Sequence, residues 1–223
     1  KNLERVFATL GDLALQQGPI WWVSIHRIHH RYSDSDEDPH NNKRGFFYSH
    51  FLWLFRLDPQ WSRPDKVERY QDKAKDISSD PYYLWLDKHY YIPPLAFLAL
   101  LYAAGGWAWV FWGGFIRTVY VWHVTWFVNS LTHRYGYQSF DSAPADSSTN
   151  NWLVGLLAYG EGWHNNHHAF PSSAKQGFFR WWEFDLSYLI ILGMEKLGLV
   201  DNLNQVPVST LEARRHRDLA AAH

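Results

Sequence analysis

The 223-residue sequence contains no cysteine. That absence excludes disulfides, thiolate zinc sites, iron–sulfur clusters and a cysteine nucleophile together. Any metal must therefore be held by nitrogen or oxygen ligands. An excess of charge of one sign is also lacking: 21 Lys and Arg against 22 Asp and Glu leave a formal net charge of −1, which gives a nucleic-acid partner no footing. No initiating Met is present, and Lys1 opens inside an apolar-periodic segment, so the start reads as internal to a longer chain. No signal-peptide pattern precedes it. What the sequence has in quantity is 13 His and 14 Trp, with aromatic residues making up 18%. The mean hydropathy of −0.37 has the value of a soluble protein. That index scores Trp, Tyr and His as polar, whereas Trp and Tyr are interface residues in a bilayer, so the local pattern decides.

Residues 90–116 contain no Asp, Glu, Lys or Arg, and Tyr or Trp residues stand near both ends. At 1.5 Å per residue this run is long enough to cross a hydrocarbon core. Gly113-Gly114 offers a tight turn, and a second apolar run occupies 118–132, so the two read as a transmembrane hairpin. Polar groups on the second run, among them His123, Thr125 and Asn129, are costly at membrane depth unless they face a protein interior or a site. Asn129 and His133 are four apart and share a helical face. Residues 3–23 read as an interfacial helix with a break near Gly18-Pro19. Residues 56–80 read as a charged, solvated loop, a helix is expected over 181–197, and the end of the chain from 211 reads as a polar, frayed tail.

Two HxxHH clusters, His26-His29-His30 and His164-His167-His168, flank this hairpin, with His133 between them in sequence. On an α-helix, positions i, i+3 and i+4 project from one face, so each triplet can converge on one volume and serve two metals. All-imidazole sites suit iron, copper, zinc or nickel. His40, His50, His89, His123, His216 and His223 lack partners at this spacing and read as structural or solvated. Metal-bound imidazoles usually donate their second N–H to a carboxylate or carbonyl. Asp34, Asp36, Glu37, Asp38 and Glu161 are candidates for that role; for the run 34–38 a solvated acidic loop is an equal alternative.

SIHRIHHRYSDSDEDPHNNKRGFFYSH resembles the second histidine box of the membrane acyl desaturases. NSLTHRYGYQSFD is similar to the segment carrying their isolated histidine ligand, and GEGWHNNHHAFPSSAKQG to their third box, in the form closest to bacterial, cyanobacterial and plant Δ9-type enzymes. The resemblance runs from residue 1 to about 203. It implies an all-α, integral membrane helical protein: a transmembrane hairpin from a four-helix membrane domain, with a cytosolic helical cap carrying a di-iron site. It implies a desaturase domain over 1–215 with a tail at 216–223. It also implies a first box of HxxxxH form and two further transmembrane helices upstream of Lys1.

By the same resemblance His26, His29, His30, His133, His164, His167 and His168 are iron ligands and Asn129 holds a metal through water. Gln16, Trp22, Thr125 and Trp126 line a bent acyl tunnel. The implied reaction is the O2-dependent insertion of a cis double bond, at Δ9, into a saturated long-chain acyl group. Two Fe2+ ions are the implied cofactor, ferredoxin or cytochrome b5 the electron donor, and the cytoplasmic or stromal side the location of the boxes. Ser24-Ile25 and Arg56-Leu57 stand where animal acyl-CoA enzymes carry Arg-Asp and Arg-Lys, which leaves acyl lipid or another carrier open beside acyl-CoA. A di-iron hydroxylase and a non-catalytic, His-rich metal-binding membrane protein are the alternative readings.

Overall fold

The structure, a computed structural model, describes residues 1–56 and 70–215. Part of the charged loop expected over 56–80, including Leu57, and the tail with His216 and His223 lie outside the described residues. Among the described residues the regular elements are helices, and β pairing is confined to isolated bridges such as Tyr137 with Asn150. The chain divides into two compact units, one formed by Lys1–Arg31 and Phe51–His123, the other by Tyr32–His50 and Val124–His223.

In the first unit the expected helix over 3–23 is two helices, α1 (Asn2–Asp12) and α2 (Pro19–Tyr32). Between them Leu15 and Gln17 take positive φ, 54° and 69°, a conformation no helix continues through. Pro19 opens α2, where its missing N–H costs nothing. The backbone N–H of Trp21 donates to the buried Asp87 at 2.9 Å, and the Tyr70 hydroxyl donates to the same carboxylate at 2.6 Å. A residue 66 positions away thus caps this helix, satisfying a donor that would otherwise be orphaned. Ile20, Trp21, Ser24, Ile25, Ile28 and His29 form the buried face of α2. Trp21 stacks on Trp53 with ring centroids 6.3 Å apart. On the outer edge Arg27 grips Asp76 through two bonds of 2.7 and 2.8 Å.

Helix α3 (Phe46–His50) lies in the second unit. Helices α4 (Lys75–Ser78) and α5 (Pro81–Lys88) lead to α6 (Ile92–Trp109), a π-helical stretch (Val110–Ile116) and α7 (Arg117–Ser130). The hairpin is present, but its turn is not where the sequence suggests. The chain reverses at Gly105–Gly106, where Gly106 holds φ 63° and ψ −155°, a region open essentially to glycine alone. Gly113 and Gly114 serve instead as contact points: a Cβ on Gly114 would overlap Leu98 Cδ2, and one on Gly113 would press Leu101 at 3.2 Å. In an unbroken helix residues 98 and 114 would lie about 24 Å apart. Arg117, over the Phe97 ring at 5.5 Å, makes the same fold-back visible. Residues 90–116 are therefore not one span. Few residues of the segment Ile92–Ser130 are buried, and Leu100, Trp107, Trp112 and Phe115 are each more than half accessible. So large an apolar exterior belongs in a bilayer.

The second unit holds the end of α7, α8 (Trp152–Leu157), α9 (His164–Ala169), α10 (Leu186–Lys196) and α11 (Val208–Arg214). Its apolar core gathers Phe140, Phe170 and Leu211. The last of these corrects the expected tail: residues 211–214 are helical, and Leu211 anchors them. Helix α10 begins later than expected because Asp185 caps it, accepting from Tyr188 N–H at 2.9 Å.

Candidate metal centre

Helix α9 explains the residue order of its cluster. His164, His167 and His168 project from one side; Asn165 and Asn166 project from the other and are fully buried. The Asn165 side chain accepts from the N–H groups of Ser139 and Phe140 (2.8 and 2.9 Å) and donates to Phe140 O and Ser142 Oγ. Asn166 donates to Gln176 O at 2.7 Å and accepts from Asn150 Nδ2 at 2.9 Å. Two buried amides, each bonded through both ends, fix the short helix to the loops around it.

His133, just beyond α7, meets this cluster. Its Nε2 lies 3.1 Å from His164 Nε2, which lies 3.1 Å from His168 Nε2. The far nitrogens are held by acids: His133 Nδ1 donates to Asp34 Oδ2 at 2.9 Å and His168 Nδ1 to Asp146 Oδ2 at 3.0 Å. With the proton placed on Nδ1 by its carboxylate, the neutral imidazole presents a lone pair at Nε2. Three Nε2 atoms then face one another, and a single N–H on His164 can serve only one of its two neighbours. A cation satisfies all three. For a metal–imidazole bond of about 2.1 Å, ligand nitrogens at right angles lie about 3.0 Å apart and at the tetrahedral angle about 3.4 Å. The observed spacing is that of neighbouring ligands on one metal, so these residues fit a cation that imidazole holds, iron among them.

Asp34 takes φ 56°, a left-handed conformation that Asp tolerates. It is buried, and it also accepts from Ser147 N–H at 2.9 Å and Asn42 N–H at 3.1 Å. Burial pushes this carboxyl up, but the hydrogen bonds from His133 and Ser147 outweigh it and hold it well below the usual range. Asp146 is held down to about 2 in the same way, burial being outweighed by the His168 hydrogen bond. Burial, with His168 alongside, lowers His167 to about 4. That ring is neutral at pH 7, the form a metal binds.

In the first unit His26, His29 and His30 occupy the last turns of α2. His26 and His30, four apart, bring their Nε2 atoms to 3.0 Å, beside 3.1 Å in the other cluster. The His29 ring lies 5.7 Å from that of His30, and His29 is buried. Trp22, one turn earlier, stacks on His26 with centroids 4.9 Å apart. Gln16 sits in the left-handed connection before α2, its Nε2 buried without a hydrogen bond among the described residues. Thr125, Trp126 and Asn129 lie on α7, and Trp126 meets His50 edge-on at 5.8 Å.

Of the remaining histidines, His40 and His50 are buried and His50 Nδ1 meets Ser130 Oγ at 3.0 Å, a structural role. His89 and His123 are not in the clusters; His89 Nδ1 bonds Trp85 O. Among the acids, Asp34 faces a histidine, Asp36 is 95% exposed, and Glu161 meets Gln176 Nε2 at 3.4 Å. Asp146 was not singled out by the sequence. Its local signal is an Asx-type turn, with Ser148 N–H donating to Asp146 Oδ1 at 2.9 Å.

The family model described as fatty acid desaturase matches residues 1–186. The chain is 45% identical over 208 residues to the sn-2 palmitoyl-lipid 9-desaturase of Nostoc sp. (strain 36), covering 93% of this chain and 71% of that protein. It is 47% identical over 203 residues to the sn-1 stearoyl-lipid 9-desaturase of Anabaena variabilis, covering 91% and 71%. To the acyl-CoA 5-desaturase of Anemone leveillei it is 43% identical over 203 residues, covering 91% and 61%. With its helical architecture and its histidine clusters, the chain belongs to the fatty acid desaturase family, a family of oxidoreductases.

Proposed function

We propose that this chain is a fatty acyl desaturase acting at Δ9 on saturated long-chain acyl groups, with acyl lipid as the preferred carrier. The observation that carries the reading is the convergence of three imidazole Nε2 atoms with two of their far nitrogens fixed by buried carboxylates. The carrier follows from the lipid-acting relatives and from Ser24-Ile25, which offer a CoA phosphate no cation. The ligands of two iron ions are His26, His29, His30, His133, His164, His167 and His168, with Asn129 acting through water. Residues 1–215 form one desaturase domain. The chain is multi-pass, with the histidine clusters on the cytoplasmic side, and takes electrons from ferredoxin or cytochrome b5.

An unactivated methylene C–H is beyond any side-chain base; bound iron supplies the oxidation by O2. Two hydrogens leave adjacent carbons, and with one O2, two electrons and two protons they end as two waters. The protein's part is placement. Asp34 and Asp146 keep His133 and His168 in one tautomer and one orientation. Trp22 backs His26 by stacking. Gln16, Trp22, Thr125 and Trp126 hold the chain bent so that only one pair of carbons comes within reach, and geometry selects the bond.

The test is product analysis by mass spectrometry after incubation with reduced ferredoxin, O2 and either stearoyl lipid or stearoyl-CoA. The expected product is the 9-alkene, formed faster from the lipid. A hydroxylated product without alkene would overturn the reaction, and exclusive use of the CoA ester would overturn the carrier.

A further inference from the structure

The second unit carries an apolar surface that the reaction does not use. Helix α10 has no buried residue although its sequence is apolar over Leu189–Met194 apart from Gly193, and Leu189 and Ile190 stand about half exposed. Before it, Trp181 is 91% accessible, and Phe184 is 52% accessible. Trp182 and Phe184 also line a groove of about 260 Å3 with Trp152 and Leu156 of α8, so the apolar surface before α10 continues onto α8. Isolated exposed apolar side chains need no explanation, but a contiguous patch of this kind marks an interaction surface.

The charges around the patch indicate what covers it. Three acids fall inside the segment: Glu183 and Asp185 are turned inward, and Glu195 lies beside Lys196 at its far end. Glu183 is buried, accepting from Phe178 and Phe179 N–H and from the Tyr137 hydroxyl at 2.6, 2.9 and 2.7 Å. Asp185 is buried, accepting from Gln176 N–H at 2.7 Å and capping α10. Basic groups bracket the patch: Arg180 lies over the Trp182 ring at 5.1 Å, and Lys196 is exposed at the far end of α10. Apolar side chains with tryptophans, and accessible charge confined to the two ends, match the boundary between acyl chains and headgroups. At 11 residues α10 is about 16 Å long and cannot cross a core of about 30 Å, so it lies in the plane.

We infer that the second unit rests on the membrane through α10 and the tryptophans before it, a contact with a lipid surface separate from the hairpin. No cysteine occurs in the 223 residues, so one introduced thiol is the only labelling site among them. Ile190→Cys, and Ala143→Cys at an exposed position outside the patch, are spin-labelled in the full chain. Each is placed in nanodiscs of phosphatidylcholine and phosphatidylglycerol at a 3:1 ratio. Collision rates with O2, which concentrates in acyl chains, and with a water-soluble nickel chelate are then compared. The ratio of oxygen to nickel accessibility is expected to be several-fold higher at 190 than at 143. Three outcomes would overturn the inference. Nickel access at 190 equal to that at 143 makes the patch water-facing. Low access to both agents with spin–spin broadening that dilution by unlabelled protein relieves makes it a contact with a second copy. Low access without broadening makes it a contact within the protein. The readout is independent of turnover, so it stands or fails apart from the proposed reaction.

Discussion

Replacing His164 by alanine is expected to remove bound iron and to lower alkene formation by more than about 100-fold, because loss even of the groups behind a metal ligand costs about 10–100-fold. His164 is the central member of its cluster, the one nitrogen within 3.1 Å of both His133 and His168. Its removal leaves two fixed lone pairs with no third ligand between them. The fold should survive, since the buried amides of Asn165 and Asn166 still seat α9. The check is iron per chain by elemental analysis, beside activity and the far-UV spectrum. Asp146→Asn provides the graded comparison: it keeps an acceptor for His168 Nδ1 but loses the charge, and should fall between wild type and His164→Ala. Wild-type iron and turnover in His164→Ala would remove His164 from the ligand set.

Gly162→Ala is expected to destabilise the protein by about 3 kcal/mol, the upper range for overpacking at a site that cannot yield. A Cβ there would overlap the backbone nitrogen of Gly155 and lie 2.5 Å from Asn151 O. Both are main-chain atoms, and neither is free to move. Asn151 N–H donates to Gly162 O at 2.8 Å, and Gly155 N–H donates to Asn151 O at 2.8 Å. These bonds set the start of α8 against the turn that delivers His164. Thermal denaturation followed by tryptophan fluorescence should show a clear drop in melting temperature. Gly193→Ala on α10, where no heavy atom lies within 4 Å, should leave it unchanged or slightly raised. Equal melting temperatures for the two variants would mean that the close packing at Gly162 is not real.

The histidine clusters are legible in the sequence because residues at i, i+3 and i+4 share one face of a helix, and α2 and α9 are helices over those residues. The carboxylates behind them are harder to read. Asp34 stands among four neighbouring acids of similar appearance, and only burial separates it from the exposed Asp36. Asp146 lies 22 residues from the histidine it holds, in a loop with no periodic pattern, so nothing local links the two. The hairpin is visible as an uncharged run, yet its turn is ambiguous, because Gly105-Gly106 and Gly113-Gly114 are equally able to bend the chain. Side-chain packing decides between them: Leu98 and Leu101 need the glycine gaps at 113 and 114, which leaves the reversal to 105–106. Helix α11 was hidden by its polar composition, since Leu211 is its one buried residue.

X-ray absorption at the iron edge of the purified, iron-loaded protein reads the metal's own neighbours. The account predicts a shell made mainly of nitrogen, with the outer scattering that imidazole rings impose and no sulfur. A shell of carboxylate and water oxygens without the imidazole signature would contradict it, whatever the activity of the sample.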